Sequence, residues 1–210
     1  MLRNILFAIV IISTSGGAVG GAYDDILAAA NHGDTATVID LIRRGMDVNT
    51  ADPHGSTLLM VAARTGNTEL ADALLALRAN VNRRNEFGDT ALLVAALKGK
   101  LDIVSRLVDR GAEVNPSGWS PLHYATFGGN VEVARYLHGK GAKLDARAPN
   151  GQTALMLAVR IGHLGLVRLL VDADADMDLA DYDGTSAIAL ARKLGRGEIV
   201  EFLKREGAVE

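Results

Sequence analysis

No cysteine occurs anywhere in the 210 residues, which excludes a disulfide, a zinc–thiolate site, a thiol nucleophile and a lipid-modified N-terminal cysteine. Large rings are nearly as scarce. One Trp, four Tyr and four Phe give an aromatic share of 4%, too little for a β-sandwich core but compatible with close-packed helices rich in Ala and Leu. Charge of neither sign accumulates in a long run, and 22 basic against 25 acidic residues leave a formal charge of −3. That balance gives no electrostatic footprint for nucleic acid. What remains is 49% apolar, enough to bury a core and too much for a disordered chain.

The N-terminus differs from the rest. Arg3 precedes an apolar run from Ile5 to Ile12, and small residues follow from Ser13 to Ala22. Positive start, short apolar core and small-residue end predict a secretory signal peptide over residues 1–22, cleaved after Gly20 or after Ala22. The alternative is an uncleaved anchor. Its second half of Gly, Ser and Thr falls short of the roughly 20 apolar residues a bilayer span needs. The expected location is therefore secreted or periplasmic, without stable membrane insertion once the signal is gone, and absence of cysteine suits an oxidising compartment.

A repeat dominates the remainder. Gly55, Gly88, Gly118, Gly151 and Gly184 are each followed two residues later by Ser or Thr, at spacings of 33, 30, 33 and 33. Alanine stands seven residues after each (Ala62, Ala95, Ala125, Ala158, Ala191) and a second glycine eleven after (Gly66, Gly99, Gly129, Gly162, Gly195). The hydroxyl residue is placed to cap a first helix, the alanines allow close helix approach, and the second glycine ends that helix with a left-handed residue. Apolar pairs such as Ile103-Val104 and Leu107-Val108 then repeat at helical spacing. Each unit closes on a motif such as Gly111-Ala112-Glu113-Val114-Asn115. Two units put Arg78 and Asp174 where the others have glycine before the closing alanine, so both residues are expected in a left-handed conformation or at a bent turn.

This pattern resembles the ankyrin repeat, a 33-residue unit with a T-P-L-H-x-A stretch, a glycine turn and a closing G-A-x-x-N. Thr/Ser-Pro-Leu-His is most complete at Ser120-Pro121-Leu122-His123. The resemblance covers residues 23–210 and implies a mostly α solenoid of about six stacked helix-turn-helix units with short β-hairpin loops. The units fall at about 23–51, 52–84, 85–114, 115–147, 148–180 and 181–210. The first serves as N-terminal cap, and the last carries Arg192 in place of the second alanine and Lys204 in place of the second apolar residue of the pair, the polar face of a terminal repeat. For His123 the resemblance implies a structural hydrogen-bonding role.

Catalytic and metal chemistry find little support. No two histidines stand three or four residues apart, so none forms a helical metal pair. There is no G-x-S-x-G nucleophile elbow. Asp172–Gly184 is acidic, but an EF-hand counted from Asp172 would need glycine at Met177 and glutamate at Asp183. The expectation is a non-enzyme without cofactor or metal. A metal-dependent protein or enzyme using the histidines and the acidic turn is the weaker alternative.

In proteins of the resembled family, partners contact residues around the hairpin glycine and on the exposed end of the first helix. Transferred to this sequence, those positions hold Phe87, Leu97, Trp119, Phe127, Arg160, Ile161 and Tyr182, with Tyr124 one position inward. Four of the eight aromatics that remain beyond the signal stand on this surface, Phe87, Trp119, Phe127 and Tyr182. A solenoid does not need them for its core, so they mark a patch for another protein. Only Pro116-Ser117 separates Asn115 from Gly118, against five residues at the corresponding place in neighbouring units. A shortened finger beside Trp119 follows. The expected function is non-catalytic binding of a partner protein by the concave face of a monomer. An immunity-type inhibitor of a secreted toxin or enzyme is the first alternative.

Overall fold

The computed structural model describes residues 21–209, so the leader expected over residues 1–22 lies almost wholly outside the described residues. Twelve helices follow in six pairs. The first helices are α1 (Ala22–His32), α3 (Leu58–Thr65), α5 (Ala91–Leu97), α7 (Pro121–Phe127), α9 (Ala154–Ile161) and α11 (Ala187–Lys193). Their partners are α2 (Thr35–Arg43), α4 (Thr68–Ala76), α6 (Leu101–Asp109), α8 (Val131–Gly139), α10 (Leu164–Asp172) and α12 (Gly197–Arg205). Among the described residues no helix is long and apolar enough to cross a membrane.

The periodic hydroxyl residues start the first helices as their spacing predicts. Thr57, Thr90, Ser120, Thr153 and Ser186 each accept a hydrogen bond from a backbone N–H three residues on, at 3.3–3.4 Å. Each cap satisfies one of the orphan donors of a helix start, worth about 1 kcal/mol. The glycines that end these helices have positive φ, and so do Arg78 (61°) and Asp174 (65°) in their substituted turns.

The core is a pair of ladders running through the stack. Leu59, Leu92, Leu122, Leu155 and Ile188 form one on the first helices, with Leu74, Leu107, Leu137, Leu170 and Leu203 on the second, all buried. Cutting one such leucine to alanine costs about 2–5 kcal/mol. The fully buried alanines Ala62, Ala95, Ala125, Ala158 and Ala191 let neighbouring first helices approach closely. From α3 to α11 the first helices pack on one another more extensively than the second helices do. The stack therefore bends toward the first-helix row, whose exposed side lines the concave face.

A hydrogen-bond ladder ties the units together. The residue closing each unit accepts from a backbone N–H of the next: Asn49 from Asn80, Asn82 from Glu113, Asn115 from Lys143, Asp145 from Asp176 and Asp178 from Val209, at 2.7–3.0 Å. Asn82 and Asn115 also donate to the carbonyls of Gly111 and Gly141. The β-hairpin character of the fingers is slight. Among the described residues it consists of the isolated bridges Ala51–Thr57 and Ala180–Ser186.

Candidate partner-binding surface

Three fingers are closed by the same local device. Asp52, Asn85 and Asp181 each turn a side-chain oxygen onto two backbone N–H groups, two and four residues ahead, at 2.8–3.1 Å. Such Asx turns fix a tight loop without a strand ladder. Two backbone bonds complete each, as in Asn85 N–H to Asp89 O and Gly88 N–H to Asn85 O, both 3.0 Å. In the fifth unit Ala148 makes the backbone bonds alone, and Asn150 supplies a side-chain oxygen to the Gln152 N–H.

The fourth unit, three residues shorter, is held differently. Ser120 and His123 form a capping box: Ser120 Oγ accepts from the His123 N–H, and His123 Nδ1 accepts from the Ser120 N–H at 3.2 Å. Pro121 occupies the first helical position, where its missing N–H costs nothing. His123 Nε2 donates to the Gln152 carbonyl at 3.2 Å, joining the fourth unit to the fifth. The imidazole is 1% exposed. Burial pulls its pKa down to about 4, with the backbone bonds at Gln152 and Ala146 opposing, so the ring is neutral near pH 7. The structural role that the resemblance implies for His123 fits these contacts.

Of the proposed contact residues, Phe87 and Tyr182 are the most exposed, at 49% and 70%. Phe87 rides on the third finger, its ring 6.0 Å from that of His54, and the His54 ring in turn meets the Glu86 carboxylate. Tyr182 lies against the backbone of the preceding finger. A Cβ on Gly151, already at φ +81°, would stand 2.8 Å from the tyrosine ring, so only glycine allows that contact. Trp119 differs from both. It is half-buried, with its ring edge-on to His123 at 5.6 Å and 84°. The sequence places Trp119 outward and apart from the histidine, whereas the structure half-buries it with its ring against that histidine.

The remaining positions are closer to scaffold. Tyr124 is half-buried and donates its hydroxyl to Asp89 Oδ1 at 2.5 Å, bridging the third and fourth units. Burial raises the Asp89 pKa, against the opposing hydrogen bonds from Tyr124 and Asn85. Burial first, then the Asp89 bond, also raises the Tyr124 pKa. Leu97 and Phe127 are half-buried where α5 and α7 end side by side. The two helix ends touch through backbone, since a Cβ on Gly128 would fall 2.3 Å from the Leu97 carbonyl oxygen. Ile161 packs against the core, and Arg160 is half-buried with Nε enclosed and without a hydrogen-bond partner. The structure thus divides the eight positions into two projecting rings, one seated ring and five residues held largely by their neighbours.

The acidic turn and the histidines have local tasks. Asp176, Asp178 and Asp181 cap backbone N–H groups within the turn or in the following segment. His163 caps α10 by accepting from the Leu166 N–H at 3.2 Å. Among the described residues no three His, Asp or Glu side chains come together as a metal cradle. Two features escaped the sequence reading. The Asx closures carry a signal, Asp or Asn three residues before the hairpin glycine at Asp52, Asn85 and Asp181. The Tyr124–Asp89 bond carries none, because its partners sit at unlike positions of their units.

The family model for ankyrin repeats (three copies) matches residues 26–117, 76–148 and 138–209. An ankyrin repeat domain from Acinetobacter baumannii AYE is similar at 30% identity, with 88% of this chain and 98% of that one covered and a TM-score of 0.78. No curated protein matches the chain. Domains of this kind are generally protein–protein interaction modules and typically non-catalytic. With its capped helix pairs, inter-unit asparagine ladder and these matches, the chain belongs to the ankyrin repeat family.

Proposed function

We propose that this protein is an exported, non-catalytic monomer that binds a partner protein along its concave face. Phe87 and Tyr182 act as projecting anchors, and Trp119 forms a half-buried floor between them. The observation that carries this reading is the exposure of Phe87 and Tyr182 on fingers whose backbones are already closed by their own hydrogen bonds. Neither ring is needed to hold its finger. Exposed aromatic side chains already resting on rigid loops lose little conformational entropy on binding, and they are frequent interface hot spots.

Export rests on the leader pattern of residues 1–22. Cleavage after Gly20 is the better fit of the two sites. The N–H groups of Asp24 and Asp25 bond to the Gly21 carbonyl at 2.8 and 3.2 Å, and cleavage after Ala22 would remove that acceptor. The mass of the mature N-terminus checks this.

The test of binding is a pull-down from an extracytoplasmic extract, comparing wild type with a Phe87→Ala, Tyr182→Ala variant whose circular dichroism is unchanged. Loss of a specific partner from the variant is the expected result, and capture of every partner at wild-type level contradicts it.

A further inference from the structure

From α4 onward, side chains stitch neighbouring second helices together at every seam but one. Arg106 of α6 donates to Asp72 of α4 at 2.7 Å, and Lys140, just past α8, to Asp109 of α6 at 3.2 Å. Phe202 of α12 lies beneath Arg168 of α10, with 5.2 Å from guanidinium to ring centroid. Among the described residues no side-chain hydrogen bond, ion pair or ring contact joins α8 to α10. That seam holds a groove of about 320 Å³ instead, with Leu169 and Ala173 on a half-buried floor and Arg135, His138, Arg168 and Asp172 on an exposed rim. Its volume falls at the lower end of small-molecule sites, about 300–1,000 Å³.

The register shows what is missing. The flanking helices α8 and α12 each carry a carboxylate and, one turn on, an aromatic ring: Glu132 with Tyr136, and Glu198 with Phe202. Helix α10 has Gly165 and Leu169 at those two positions, and no acid in its first turn. A Cβ on Gly165 would crowd the His163 cap at 3.2 Å, which explains the glycine but not the leucine. Both flanking rings are stacked with cations, Tyr136 under Lys140 at 5.4 Å and Phe202 under Arg168 and Arg205 at 5.2 Å. By register Arg135 stands to Leu169 as Arg168 stands to Phe202. Arg135 has a carboxylate only in Glu132 of its own helix, at 4.0 Å and in an exposed position.

We infer that the α8–α10 groove is a binding site for a small aromatic carboxylate, on the row of second helices and apart from the concave surface. The ligand's ring lies on Leu169 against Arg135, where the flanking units supply a ring of their own. Its carboxylate accepts from Arg168 beside Gly165, the place that Glu132 takes next to Arg135. A guanidinium engaged by its face on Phe202 keeps its N–H edge free to donate. Asp172, one turn further along α10, accepts from a hydroxyl at the far end of the ring.

Calorimetric titration with 4-hydroxyphenylacetate, which combines these three features, tests the site, with amide shifts by NMR to place it. Saturable one-to-one binding with shifts confined to α8 and α10 is expected. It should weaken at least about tenfold in Leu169→Phe, which fills the groove from within, and in Arg168→Gln. The melting temperature of Leu169→Phe should not fall, and if that variant does not fold, Arg168→Gln alone decides. The Phe87→Ala, Tyr182→Ala variant should bind as wild type does, so the two readings fail separately. No saturable binding to wild type, undiminished binding in either groove variant, or equal binding of acetate, which has no ring, overturns the inference.

Discussion

The third and fourth fingers solve one problem in opposite ways. Each must lead the chain from the closing asparagine of one unit into the capped start of the next first helix. The third does so with an Asx turn centred on Asn85, which lifts Phe87 into solvent. The fourth lacks those residues, and among the described residues no backbone bond closes it. Its helix start is held instead by the Ser120–His123 capping box, with Trp119 laid on the histidine ring. The two rings also occupy unlike positions: Phe87 precedes its hairpin glycine and projects, whereas Trp119 follows Gly118, the position at which Asp89 and Gln152 are buried in longer-fingered units.

His123 is where the comparison breaks most severely. His123→Ala leaves the Ser120 N–H without a partner in a buried site, removes one of the two hydrogen bonds to the Gln152 carbonyl and removes the seat of Trp119. A loss of about 3 kcal/mol or more in urea unfolding is expected. Ala125→Gly in the same helix lacks these consequences and is expected to cost about 1 kcal/mol.

Acid acts on the same residue. The folded pKa of His123 lies at about 4, below the ordinary 6.5. The unfolded chain therefore takes up its proton first as pH falls. The stabilising contribution is complete above pH 6.5, declines between 6.5 and 4, and is fully lost below about 4. It amounts to at most roughly 3 kcal/mol. Unfolding curves measured across this window should steepen in pH dependence for wild type, and a His123→Leu variant should lack that component.

The two rings separate next. Trp119→Ala should destabilise by about 1–2 kcal/mol, because the ring is half-buried on its neighbour, whereas Phe87→Ala should stay within about 0.5 kcal/mol. Equal effects in thermal melts would erase the distinction between floor and anchor. Asn85→Ala should cost about 1 kcal/mol or less and raise hydrogen exchange at the Phe87 and Asp89 amides, leaving the fourth finger unaffected. Smallest is Arg78→Gly, expected to stabilise by about 0.5 kcal/mol by relieving a left-handed arginine at φ 61°.

Most of the fold was legible because it repeats. A glycine, a hydroxyl, an alanine and a second glycine at fixed offsets each stand for one local event, and the caps, positive φ values and buried ladders fall at those offsets. Even the odd turns at Arg78 and Asp174 could be read from the register alone. The contact surface was less legible because it depends on departures from period. Trp119 meets a histidine that no other unit has at that position, and Tyr124 gives its hydroxyl to an aspartate one unit away. A periodic reading sees positions, while exposure is decided by distances between units.

The central claim is that the fingers project aromatic anchors which bind without stabilising. Its most direct measurement pairs two numbers for Phe87→Ala, the affinity for the captured partner by calorimetry and the melting temperature of the free protein. Affinity reduced by about 2 kcal/mol at an unchanged melting temperature is predicted. Unchanged affinity, or a fall in melting temperature that accounts for the loss, would contradict it.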